Sequence, residues 1–287
     1  MIALRTVHCP VDFSPATPRQ VDLAADLCRA FGARLILHHN RHSLGTGAAV
    51  GWMWNADHHG ESQASIEAKL DECRQRVPPG VAVEPVITEG PVSRVVQVVA
   101  EAVDADLVIL TAHGRPSEDH ASISERLIEA GDRAVLVLHE PSVEPRTPHF
   151  AAHAPEPQVV LVPTALTPES GAAIDVGVDL LRRLPVELHL LHILPNGRRD
   201  ETTTARALEQ MRTLVPDPLA GRVKLHVEHG DPAEGIARAA DQLGASCIVM
   251  GEHTRTVWGW FQRDTSREVL HRAHCPVWYV PATRVLA

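Results

Sequence analysis

The chain has 287 residues, enough for two domains of ordinary size. Its composition, 44% hydrophobic and 22% charged, supplies apolar material for real cores. A formal net charge of -9 argues against general nucleic-acid binding and against adhesion to an anionic membrane, because both need a positive field.

The opening segment MIALRTVHCPVDF has no long apolar h-region and no cleavage signal, and it reads directly as a buried strand. No run in the chain reaches transmembrane length. Cys9, Cys28, Cys73, Cys247 and Cys275 form no C-x-x-C pair and are odd in number. They read as reduced thiols, which predicts a cytoplasmic protein, and the charge and the lack of a transmembrane run predict no membrane partner.

After the first strand, Thr17-Pro18-Arg19-Gln20 predicts a helix start, with Thr17 as N-cap, Pro18 at the first helical position and Gln20 three residues on. Val21, Ala24, Ala25, Cys28 and Phe31 give this helix an apolar face, and Gly32 ends it. ARLILHH is the next strand, and Ile66, Leu70, Cys73 and Val77 mark a second amphipathic helix. VAVEPVI is a third strand, 91–103 a third helix and ADLVILT a fourth strand. A helix from Ser122 and the strand AVLVL complete the series.

The series then repeats. EGPVSRVVQVVAEAVDADLVILTAHGR (89–115) aligns without a gap on HGDPAEGIARAADQLGASCIVMGEHTR (229–255), placing Gly90 on Gly230, His113 on His253 and Arg115 on Arg255. VHCPVDFSPAT (7–17) lies over VLVPTALTPES (160–170), and SERLIEAGDRAVLVL (124–138) over SREVLHRAHCPVWYV (266–280). Strands are expected near 158–164, 186–193, 222–228, 245–250 and 276–280, with Asp231-Pro232-Ala233-Glu234 as a capping box. The proline-rich segment 141–157 predicts a semi-rigid linker between domains 1–140 and 158–287. Strands alternating with helices predict the α/β class: two doubly wound domains in tandem, each on a five-stranded parallel sheet.

In such sheets ligands bind beyond the C-terminal ends of the strands, where the winding reverses. The first strand ends at Asp12 and the fourth at Thr111-Ala112-His113-Gly114, so these residues are expected to face one crevice. At these positions, and over roughly 2–140 and 158–282, the chain resembles the universal stress protein family in its tandem form. The resemblance implies a Rossmann-like, adenine nucleotide alpha hydrolase-like fold. ATP-binding members carry an aspartate after strand one, then after strand four G-x-x-G, nine residues and G-[S/T]. Glycines there let backbone N–H groups approach phosphate at a helix N-terminus.

Carried over residue by residue, Asp12 matches the aspartate, Thr111 replaces the first glycine, Gly114 matches the second, and Ala121-Ser122 falls on the G-[S/T] pair. Arg115 and Ser124 complete the candidate nucleotide-binding set in this copy. The loop is shorter than the family motif and carries Glu118 and Asp119, which repel phosphate unless they point away or hold a divalent metal such as Mg. In the second copy Ala165 stands at the aspartate position, Gly251 matches the first glycine, Thr254 replaces the second, and Arg263-Asp264 replaces G-[S/T]. ATP or a related adenine nucleotide is thus the implied ligand of the first copy only, with the second a structural partner in an intramolecular pseudo-dimer. In the family the last strands pair across that interface, so 134–138 and 277–280 are the expected pair. Further homodimerisation stays open.

The same residues have plainer readings. Ser122-Ile123-Ser124-Glu125 is itself a capping box, and Asp12 suits an Asx-type turn before Ser14-Pro15. The histidines of LHHNRH and DHHG suggest a metal ion only weakly, because His38 and His39 point to opposite faces of a strand, and no metal site is assigned. Trp52 and Trp54, and Trp258, Trp260 and Phe261, are either packing anchors or a patch for a protein partner. No G-x-S-x-G elbow and no Walker A motif occurs, and no nucleophile with its base is legible, so no catalytic residue is assigned. Three functions stand side by side: a cytoplasmic stress-response binding protein with a degenerate nucleotide site, a slow ATPase or adenine-nucleotide-processing enzyme, and a ligand-free scaffold.

Overall fold

The computed structural model describes residues 4–41, 62–112, 123–139, 157–167, 170–194, 201–251 and 263–281. These divide into two compact units, Leu4–Thr111 and Ala112–Ala287.

The first unit carries β1 (Thr6–Pro10), α1 (Thr17–Phe31), β2 (Arg34–Arg41), α2 (Gln63–Gln75), β3 (Val83–Glu89), α3 (Val92–Ala102) and β4 (Leu107–Ala112). The strand order is β3-β2-β1-β4, and the pairs β1–β2, β2–β3 and β1–β4 are all parallel. The chain therefore winds one way through β2 and β3, then returns to the other side of β1. The winding reverses between β1 and β4. Val7, Cys9, Leu35, Ile36, Leu37, Leu107, Val108 and Ile109 are buried to the last few per cent, as expected of strands covered on both faces. On α1, Val21, Ala24, Ala25 and Cys28 are buried, joined by Leu23 and Leu27.

The second unit holds α4 (Ile123–Ala130), β5 (Ala134–His139), β6 (Gln158–Pro163), α5 (Gly171–Arg183), β7 (Val186–Leu194), α6 (Glu201–Thr213), β8 (Val223–His229), α7 (Pro232–Leu243), β9 (Cys247–Gly251), α8 (Arg263–Arg272) and β10 (Val277–Val280). Its strand order is β5-β10-β9-β6-β7-β8. All described pairs are parallel except β5 with β10, which run antiparallel with Val277 opposite Val137, Trp278 opposite Leu136 and Tyr279 opposite Val135. The two repeats are doubly wound, Rossmann-like α/β domains in tandem.

The repeat extends to single bonds. Val11 N–H donates to the His38 carbonyl at 2.7 Å, and its counterpart Thr164 N–H to Leu191 at 2.8 Å. Asp26 pairs with Arg29 at 2.9 Å, and Asp179 with Arg182 at 3.1 Å. Gly90 and Gly230 sit at φ 139° and 141°, a conformation that glycine alone adopts without strain. Phe13 and Leu166 share a left-handed turn after the first strand, at φ 58° and 59°. All five cysteines are free and buried.

Candidate functional site

The described part of the site lies in the first unit, where β1 and β4 end and α1 begins. Asp12 follows β1. Its Oδ1 accepts the Ser14 backbone N–H at 2.9 Å and the Thr17 hydroxyl at 3.1 Å. This is an Asx-type turn that delivers the chain into α1. The helix begins at Thr17 with Ala16 in the N-cap position and no side-chain cap. The expectation of Thr17 as N-cap is thus off by one residue. The Thr17 hydroxyl is drawn back to Asp12 instead of to its own helix.

Gln20 was read only as part of a capping box, yet it is the clamp of the site. It is 2% exposed. Its Nε2 donates to the Pro10 carbonyl at 2.7 Å and to the Ile109 carbonyl at 2.7 Å, tying the ends of β1 and β4 together. Its Oε1 accepts the Thr111 hydroxyl at 3.2 Å. Asp12 and Thr111, one from each side of the winding reversal, are therefore both bound to the first turn of α1. Beside them the Ser14 hydroxyl is buried and has no hydrogen-bond partner among the described residues. A buried, unpaired hydroxyl costs on the order of 1–3 kcal/mol, so Ser14 holds an unmet demand for a polar partner.

On the β2 side of the turn two rings pack together. His39 Nδ1–H donates to the Val11 carbonyl at 2.9 Å, and its ring stacks on Phe13 with centroids 4.3 Å apart. Lys69 of α2 holds its ammonium 5.3 Å from the Phe13 ring centre, a cation–π distance. His38 turns the other way, as strand alternation requires. His8 Nε2 and His38 Nδ1 are 2.9 Å apart, and His38 Nε2 and Thr88 Oγ1 2.7 Å. The Thr88 hydroxyl donates to Asn40 Oδ1. Thr88 Oγ1 must then accept from His38 Nε2–H, and His38 Nδ1 must accept from His8. The relay holds His38 neutral, and burial, followed by the neighbouring His39, lowers its pKa to about 4.

In the second unit the corresponding turn is filled by hydroxyls. Ala165 stands where Asp12 stands. Its N–H donates to Ser170 Oγ at 3.2 Å, and Leu166 N–H donates to Thr164 Oγ1 at 3.1 Å. His192 Nδ1–H donates to the Thr164 carbonyl at 2.8 Å, as His39 does to Val11. Gly251 closes β9, in register with Val280 of β10.

Of the remaining sequence-predicted residues, Ser124 is buried in α4. Gly114, Arg115 and Ser122 lie outside the described residues, as do the tryptophan loops and the histidine-rich segment beyond Arg41. The Glu125 carboxylate, read from sequence as part of a cap, meets Arg267 and His271. Among the described residues no group of three or more His, Cys, Asp or Glu is arranged to hold a metal ion, and no helix is long and apolar enough to cross a membrane.

Two doubly wound repeats, each with its first-strand turn beside a winding reversal, define the class: a tandem α/β protein of the Rossmann-like kind. The sequence model of the Universal stress protein family matches residues 3–139 and 157–281. The chain belongs to that family. Universal stress protein G of Shigella flexneri is 27% identical over 107 residues, 31% of this chain and 74% of that protein. Among solved structures, a universal stress protein from Archaeoglobus fulgidus DSM 4304 superposes with a TM-score of 0.70 at 17% identity, covering 96% of this chain and 95% of that one. A family protein from Pseudomonas aeruginosa UCBPP-PA14 gives 0.67 at 18% identity, covering 97% and 93%. At these identities the structural likeness speaks for the fold.

Proposed function

We propose that the chain is a cytoplasmic stress-response binding and signalling protein with a degenerate adenine-nucleotide site in domain 1–140. In this reading segment 141–157 links that domain to 158–287, which serves as its structural partner in an intramolecular pseudo-dimer. The carrying observation is the polar cluster at the winding reversal between β1 and β4, where Asp12 and the unpaired Ser14 hydroxyl stand beside a clamp formed by Gln20. Asp12 and Ser14 would take ribose hydroxyls, with Mg as counter-charge to the phosphates, which the family resemblance assigns to Gly114 and Ser122. At the position of Asp12 the second turn carries Ala165, and hydroxyls of Ser170 and Thr164 take the described backbone N–H groups. The antiparallel β5–β10 pair supports the pseudo-dimer.

The test is a thermal-shift titration with Mg-ATP and AMP on wild type, Asp12→Ala and Asp12→Asn. A ligand that binds only the folded state adds RT ln(1 + [L]/Kd), about 2.7 kcal/mol at a hundredfold excess over Kd. Asparagine keeps an oxygen for the turn but loses the charge. Wild type should gain stability with nucleotide, Asp12→Asn should keep its ligand-free stability but gain less, and Asp12→Ala should gain nothing. An undiminished gain in Asp12→Ala, or none in wild type, sinks the reading and turns the search to a protein partner.

A further inference from the structure

Within the second unit, the helix–strand segment of the first repeat (α4–β5) packs against its counterpart from the second (α8–β10). In the repeat alignment Leu136 falls on Trp278, Val135 on Val277 and Val137 on Tyr279. The observed ladder sets Leu136 opposite Trp278, Val135 opposite Tyr279 and Val137 opposite Val277. Equivalent residues face each other at the centre and exchange places on either side. That is the signature of a two-fold axis through Leu136 and Trp278, the symmetry a dimer of identical halves would have.

One further pair of equivalent residues meets on this interface. Glu125 falls on Arg267 in the alignment, and Arg267 Nε lies 2.9 Å from Glu125 Oε1. His271 Nε2, whose counterpart is Glu129, lies 3.3 Å from the same oxygen. The Glu125 side chain is 6% exposed. Were two first repeats to pair through this face, residue 125 would meet itself: a nearly buried carboxylate against a carboxylate. Two second repeats would set Arg267 against Arg267. Like charges at the nearly buried Glu125 position are strongly unfavourable, repulsion between two Arg267 side chains, each 55% exposed, is weaker, and the unlike pair is attractive and hydrogen-bonded.

We propose that Glu125 and Arg267 are the specificity determinants of this interface: opposite charges at one repeat position admit only unlike halves, committing each first repeat to a second repeat. The pairing strands contribute no charge to this choice, because Val135, Leu136, Val137, Val277, Trp278 and Tyr279 are uncharged and buried. The partner this face fits is the other half of the same sequence, and the linked copy holds the advantage of high effective concentration.

The experiment uses four full-length chains: wild type, Glu125→Arg, Arg267→Glu and the double reversal. Each is unfolded in urea and refolded, alone and in mixtures, then examined by native mass spectrometry and thermal unfolding. Glu125→Arg carries arginine in both halves and Arg267→Glu carries glutamate in both, so each single variant should melt below wild type. The double reversal should recover most of the loss, which also shows that neither position is intolerant of the new side chain. Co-refolding the two single variants should give a mixed 1:1 species containing one chain of each. Co-refolding wild type with either single variant should give less of it. Equal melting of all four chains, or singles whose losses merely add in the double reversal, would overturn the proposal. So would an absence of mixed species when the two singles are refolded together.

Discussion

Gln20 shows how one side chain can hold a site open. A carboxamide has two N–H groups and one carbonyl. Here both N–H groups are spent on strand-end carbonyls, Pro10 and Ile109, and the oxygen on Thr111. Replacing it by leucine keeps the volume and takes a donor from one buried and one part-buried carbonyl. Loss of about 2–4 kcal/mol is expected, at roughly 1–3 kcal/mol for each unsatisfied group, less what water recovers. Urea unfolding of Gln20→Leu checks this, and a change below about 0.5 kcal/mol, the scatter of neutral surface substitutions, would remove the clamp from the account. The role was not legible from sequence because one of its acceptors lies 89 positions away. Asp12 was legible as a turn residue: the Asx turn is formed, and it stands at the winding reversal.

At the level of elements, apolar runs and turn residues located the strands and helices well, since burial on both faces leaves strands such as Leu107–Ala112 little freedom of composition. The caps were legible only where the side chain has no better partner. Asp231 caps α7, its carboxylate accepting Glu234 N–H at 2.9 Å, as the box Asp231-Pro232-Ala233-Glu234 implies. At α1 the same kind of box is overridden: Thr17 is drawn to Asp12 and Gln20 to the sheet. At α4 the glutamate of Ser122-Ile123-Ser124-Glu125 reaches an arginine 142 positions on. A local pattern predicts a local bond until tertiary structure offers a charged or buried alternative. The pairing of β5 with β10 was expected from the family resemblance alone, because nothing in AVLVL or VWYV names its neighbour.

For the whole molecule, the internal repeat was the most informative feature of the sequence, and the buried histidines give the fold a pH dependence. Burial is the largest cause lowering the pKa of His38, His139, His189, His192 and His226. In each the folded value lies below the unfolded one, so the unfolded chain binds more protons as pH falls. The stability these groups contribute is full above about 6.5, the ordinary histidine value, and is lost as pH drops toward the folded values, about 4 for His38. His38 alone accounts for about 2 kcal/mol between pH 7.5 and pH 5. Thermal unfolding at those two pH values should show a clear fall, reduced in His38→Asn. A Tm unchanged between them would contradict the buried, neutral relay of His8, His38 and Thr88.

The buried cysteines turn the chain into its own reporter of opening. Burial pushes Cys28 up to about 12 and raises Cys9, Cys73 and Cys247 as well, so in the closed protein these four offer no ready thiolate, and Cys275 is buried too. Alkylation must then wait for the structure to open. Cys9, Cys28 and Cys73 lie in the first unit, Cys247 and Cys275 in the second. Peptide-resolved labelling times would read the two openings separately in one tube. If nucleotide binds beside Asp12, it should slow labelling of the first three thiols more than of the last two, and equal slowing of all five would mean that the two units open together.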